Sequence, residues 1–151
     1  MRVRVVCALV GKAKGRVRQS KRLVDMADAG ERPRFLGQFD PEELSEDDLN
    51  VFDLGPDCRC IQRMTYYKGR VVAFAIMQEI RHEGEWVVVI RADTCHDQAH
   101  WHRFAKRKAE QIDRRPLCDL TSIDDVEQGF DDASDLITAQ WEENIRRWHG
   151  D

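Results

Sequence analysis

The sequence predicts an α+β domain: a four-stranded antiparallel β-meander packed against a long C-terminal helix, preceded by a less regular N-terminal segment. Three observations lead there. Between residues 58 and 104, runs rich in Val, Ile, Phe, Tyr and Trp are separated by glycine-bearing turns, the signature of hairpin-linked strands. From Ser122 to Trp148 the apolar residues Val126, Phe130, Ala133, Ile137, Trp141, Ile145 and Trp148 recur every three or four positions, the period of one helix face. The first 57 residues sustain neither pattern, and their charge is segregated instead. The chain accordingly divides into an N-terminal segment, 1–57, partly helical or flexible, and a compact α+β unit, 58–151.

In the N-terminal segment, residues 1–22 hold eight basic residues and no acid, whereas residues 40–57 hold eight acids and no Lys or Arg. A basic arm can bind nucleic acid and an acidic stretch can shield it; the plainer reading is two solvated runs that attract each other. Val3, Val5 and Cys7 alternate as in a strand. Gln19–Ala29 fits a short helix with Leu23, Met26 and Ala27 on one side, ended by Gly30 and Pro33. Pro41 suits the first position of a brief helix, with Glu42 and Glu43 in its first turn. Gly55-Pro56-Asp57 reads as a loop.

The meander follows. Cys58–Tyr67 is a strand, Lys68-Gly69 a tight turn, Arg70–Ile80 a strand, Arg81–Glu85 a turn and Trp86–Asp93 a third strand. The second strand is apolar on both faces, so it is central or covered on both sides. A loop over 94–99 then leads to a fourth strand, 100–104, although a helix from Asp97 onward fits the same residues. In the closing helix Ser122 caps the start, Asp124 and Asp125 suit the positive end, and Arg146 and Arg147 the negative end. Gly129 is a candidate interruption. The aromatic stripe of this helix is best read as packing across the sheet, not as a ligand pocket.

Composition excludes several classes. A length of 151 residues suits one domain of roughly 100–200 residues and can bury a core without staples. A 42% hydrophobic and 34% charged composition with 9 Gly and 4 Pro is neither collagen-like nor wholly disordered. The net charge of −4 announces neither a nucleic-acid nor a membrane partner. The apolar run Val5–Val10 is too short for a signal peptide and nothing approaches a membrane span, which predicts a cytoplasmic protein with no membrane partner. Five irregularly spaced cysteines argue for reduced thiols and against a disulfide framework.

One cluster rises above this level. In Arg91-Ala-Asp93-Thr-Cys95-His96-Asp97-Gln98-Ala99-His100-Trp101-His102-Arg103-Phe104, three of the five histidines fall within seven residues. On a strand, His100 and His102 point to one face with their side chains roughly 7 Å apart, close enough to converge on one ion or one substrate group. Three readings stay open. The first is a divalent-metal site, Asp93/His96/His100/His102, of a kind suited to Zn, Mn, Fe or Ni. The second is acid–base chemistry on RNA, in which His96, His100 and His102 exchange protons and Arg91 and Arg103 hold phosphate. The third is structural, with hydrogen-bonded histidines and a surface Arg91–Asp93 pair. The basic run Arg103–Arg115 could hold a phosphate backbone beside the cluster, or be a solvated helix face with Glu110 and Asp113. Dinucleotide, P-loop, zincin and nucleophile-elbow motifs are missing.

Gly69-Arg70-Val71-Val72 with Phe74-Ala75, Gly84-Glu85-Trp86, Arg91-x-Asp93-Thr94-x-His96, His100-x-His102-Arg103-Phe104 and Trp141-Glu142-x-Asn144 resemble a family of short, uncharacterised proteins commonest in actinobacteria. The resemblance spans 68–104 and 119–148. Where that family has Gly after the first histidine, this chain has Asp97. It implies a four-stranded meander on a C-terminal helix and, by analogy, a toxin-like protein paired with a cognate antitoxin. The function expected from residues and resemblance together is a toxin-like protein that binds or cleaves RNA through Arg91, His96, His100, His102 and Arg103. The alternatives are a non-catalytic protein-interaction module using Trp141, Trp148 or the charged arms, and a metal-binding protein.

Overall fold

The computed structural model describes residues 35–46, 49–95, 97–106 and 108–150, with the backbone alone for 108–112. The expected Val3–Cys7 strand, Gln19–Ala29 helix and basic arm, and His96, lie outside the described residues. Among the described residues seven strands form one antiparallel sheet: β1 (Leu44–Glu46), β2 (Asn50–Gly55), β3 (Cys58–Tyr67), β4 (Arg70–His82), β5 (Glu85–Cys95), β6 (Gln98–Ala105) and β7 (Lys108–Asp119). β1 and β2 line opposite ends of β3, and the others follow in chain order to β7 at the far edge.

The α+β class and the meander from β3 to β6 therefore stand, but the sheet has seven strands where four were expected. The additional strands are all edges. β1 and β2 come from the acidic stretch, and β7 contains Pro116 beside Arg114 and Arg115. Charge and proline are poor signals for a strand because a central strand excludes them, yet an edge strand tolerates both and uses them to discourage pairing with other chains. The helical alternatives, from Asp97 onward and over Arg103–Arg115, are overturned by β6 and β7.

Turn chemistry sets the register. Lys68-Gly69 (φ 49° and 81°) and Glu83-Gly84 (φ 52° and 81°) both take positive φ at two successive residues, the twist-matched geometry of a two-residue hairpin. The expected 94–99 loop shrinks to a turn at Asp97, φ 60°. Aspartate tolerates this left-handed region better than most residues, and here its carboxylate also accepts from the Phe35 amide at 2.8 Å.

The C-terminal helix is in two pieces, α1 (Ile123–Ser134) and α2 (Trp141–Gly150), joined by a wider π-helical turn over Asp135–Ala139. The interruption falls there and not at Gly129. A Cβ on Gly129 would stand 3.0 Å from Ala99 Cβ and Cys118 Sγ, so this glycine lets α1 lie close on the sheet. Phe74, Ile76, Ala92 and Ala99 meet Val126, Ala133 and Ile137 to form the main core. Trp148 is buried with Cys58, Ile80 and Val89, and Trp141 packs beside them, so the aromatic stripe is core. β4 is buried without a break from Val72 to Ile80, as its two apolar faces predict. On the sheet face away from the helices, a smaller cluster of Ile61, Ala75 and Met77 receives Leu49 and Val88. No described helix is long and apolar enough to cross a membrane.

Candidate metal centre

Residues directly opposite one another on neighbouring strands share a face, so the register assembles the site. One row across the sheet reads Arg63 (β3), Ala75 (β4), Asp93 (β5), His100 (β6), Pro116 (β7). The next reads Ile61, Met77, Arg91, His102, Arg114 on the same five strands. Both rows lie on the face away from the helices, and they bring Arg91, Asp93, His100 and His102 together as their strand alternation predicts.

The three ligand-type residues are buried: Asp93 is 6% exposed, His100 1% and His102 6%. One ligand atom from each lies within 4.8 Å of the others. Asp93 Oδ1 is 3.6 Å from His100 Nε2, Asp93 Oδ2 is 3.6 Å from His102 Nε2, and the two imidazole centroids are 4.8 Å apart. Ligands about 2.1 Å from one tetrahedral ion are about 3.4 Å from each other, so each imidazole is within a few tenths of an ångström of that spacing from its nearer carboxylate oxygen, while the full set, at up to 4.8 Å, must draw in around an ion. Arg91 Nε stands 2.8 Å from Asp93 Oδ2, an ion pair without hydrogen-bond alignment. Asp93 Oδ1 is buried with no hydrogen bond.

Electrostatics fix the charge states. Burial alone would push the Asp93 carboxyl up, but the His102 contact, the Arg91 charge and the two imidazoles bring it below its usual value. Burial pushes the His100 imidazole down to about 4, against the pull of Asp93 and with help from Arg114 and His102. At neutral pH the site thus presents an ionised carboxylate and, at His100, an uncharged nitrogen with a lone pair to donate.

Arg103 is elsewhere. It sits opposite Ile90 on the helix-facing side, its guanidinium 5.3 Å from the Trp101 ring. Arg115 approaches the same ring at 5.8 Å. His96 lies outside the described residues. Sequence reasoning has Arg114 only as part of the basic run Arg103–Arg115 and misses its place opposite His102, which it flanks from β7 as Arg91 does from β5. Reading 108–119 as a strand would have found it, since its alternation puts Arg114 and Pro116 on one face and Arg115 on the other.

A family model described as "Domain of unknown function (DUF7718)" matches residues 44–151. No curated protein and no solved structure matches the chain. The match begins at β1 and runs through the last helix, so the two rows lie wholly inside it. The chain belongs to the DUF7718 family.

Proposed function

We propose that this member of the DUF7718 family binds one divalent transition-metal ion through Asp93, His100 and His102. The observation that supports this most is the convergence of two imidazoles and one carboxylate, all buried, within 4.8 Å. Two histidines and one carboxylate leave coordination positions open for water or substrate, the ligand set of metal centres that do chemistry. Nitrogen-rich donors favour Zn, Fe, Mn or Ni over Ca, which prefers six to eight oxygens. A structural reading gives Asp93 an ion-pair partner in Arg91 but does not account for a buried Oδ1 that accepts no hydrogen bond, an arrangement that costs about 1–3 kcal/mol. RNA cleavage by the same histidines is less well supported, because imidazoles 1% and 6% exposed are poorly placed to reach a phosphodiester.

The test is metal content and titration of the untagged chain. One ion per chain is expected, with affinity falling at least about 100-fold in His100→Ala/His102→Ala, more than loss of a supporting contact around the ligands would cause. Circular dichroism must show the variant folded. If Zn, Fe(II), Mn and Ni all fail to bind the wild-type chain stoichiometrically, the metal reading falls.

A further inference from the structure

The same two rows point to what the centre would bind. Asp93 is the only acidic residue in them, and its Oδ2 already faces Arg91 at 2.8 Å. Arg63 shares Asp93's row but is committed to Glu46. Arg114 is exposed and makes no ion pair with any described side chain. A divalent ion held by one carboxylate and two imidazoles would therefore sit between two guanidinium-bearing residues, with a surplus of positive charge. Such a surplus in a buried setting is expensive unless an anion completes the coordination.

Position argues the same way. On the β4 side the nearest row members are Ala75 and Met77, which offer no polar group. On the β7 side stand Pro116 and Arg114. With Arg91 facing Asp93 and Arg63 facing Glu46, the guanidinium of these rows left for a ligand in an open coordination position is that of Arg114, at the β7 edge. There the guanidinium fork matches a carboxylate or phosphate with two parallel hydrogen bonds.

We infer that the centre takes a small oxyanion, a phosphate or a carboxylate, as its further ligand, with Arg114 as the residue that recognises it. This rests on the metal reading above. One oxyanion oxygen completes the ion's coordination, and others meet Arg114 at the sheet edge.

Full-length chain loaded with Co2+ tests it, because the visible bands of Co2+ report changes in its ligands. Inorganic phosphate and malonate are titrated separately. At least one is expected to perturb the bands saturably, and which binds tighter tells phosphate from carboxylate. Arg114→Gln should weaken that anion at least about tenfold, the worth of a charged hydrogen bond, while Co2+ affinity does not fall. Arg115→Gln, on the opposite face, should bind the anion as wild type does. Co2+ uptake with no response to either anion overturns the inference alone, as does an Arg114→Gln chain that binds the anion normally. Failure of Co2+ together with Zn, Fe(II), Mn and Ni to bind removes the metal reading itself.

Discussion

Glu79 shows what one charge in a central strand demands. It is fully buried on β4 and receives Arg59 Nε at 2.9 Å and Nη2 at 2.7 Å, both on Oε2. Arg59 in turn lies 3.8 Å over the Trp86 ring. Removing the cation strands a buried carboxylate, so Arg59→Met should cost about 3–5 kcal/mol. Replacing both partners should cost far less, because neither charge is then left alone. Urea denaturation of Arg59→Met and Arg59→Met/Glu79→Leu checks this, and equal losses in the two would count against it. Nothing in the sequence marks the pair. Arg59 and Glu79 are twenty positions apart and become neighbours only through the β3–β4 register. Cys60, opposite Gln78 on the same two strands, is the contrary case: a residue type usually buried as a small hydrophobe. Burial pushes its thiol up to about 12, so the native chain should not be alkylated there at neutral pH. Mass mapping after iodoacetamide treatment reads this directly.

Helix termini carry their own signals, and these were the most legible parts of the chain. Ser122 caps α1 as its sequence position suggests, and Asp125 answers reciprocally, accepting from the amides of Thr121 at 2.9 Å and Ser122 at 2.8 Å. The Thr121 hydroxyl and amide, with Ser122, hold the Asp125 carboxyl at about 2, below its usual range. A carboxylate whose folded value is depressed contributes stability that is present above its unfolded value and lost as pH falls through the folded one. Wild type should therefore lose more thermal stability than Asp125→Asn between about pH 4 and about pH 2, and parallel curves would refute the assignment. The break between α1 and α2 had no such signal. Asn144 donates to the Leu136 carbonyl at 2.9 Å and to Gln78 Oε1 at 3.0 Å, while Gln78 Nε2 donates to the Trp141 carbonyl at 2.9 Å. The wide turn frees a backbone acceptor, and a buried amide pair takes it up. Asn144→Leu leaves two buried acceptors without donors, so a loss of about 1–3 kcal/mol is expected in denaturant unfolding.

At the scale of the molecule, local periodicity revealed the strands that are buried and missed those that are edges. β3, β4 and β5 could be read because their apolar alternation is the condition for burial; β1, β2 and β7 could not, because an edge is under the opposite demand. The site inherits the same division. Asp93, His100 and His102 follow from alternation along β5 and β6, whereas Arg114 needed a strand that charge and proline concealed. Nearness in sequence groups Arg103 with them, yet one step along a strand turns a side chain to the other face. This geometry has a thermodynamic consequence for the metal reading. The donors come from two adjacent strands inside the sheet, with β5 pairing β4 and β6 pairing β7. An ion linking β5 to β6 has no equivalent in the unfolded chain, so binding stabilises the whole fold and not a loop. At a free concentration about a hundredfold above its dissociation constant the gain is about 2.7 kcal/mol. For a domain of this size that corresponds to a rise of roughly 5–10 °C in Tm. The rise should vanish in His100→Ala/His102→Ala and should grow with ion concentration, since the term is logarithmic in it. Thermal unfolding with and without saturating Zn or Mn measures both effects. A wild-type Tm indifferent to every transition ion would mean that the buried carboxylate and imidazoles are held for another purpose.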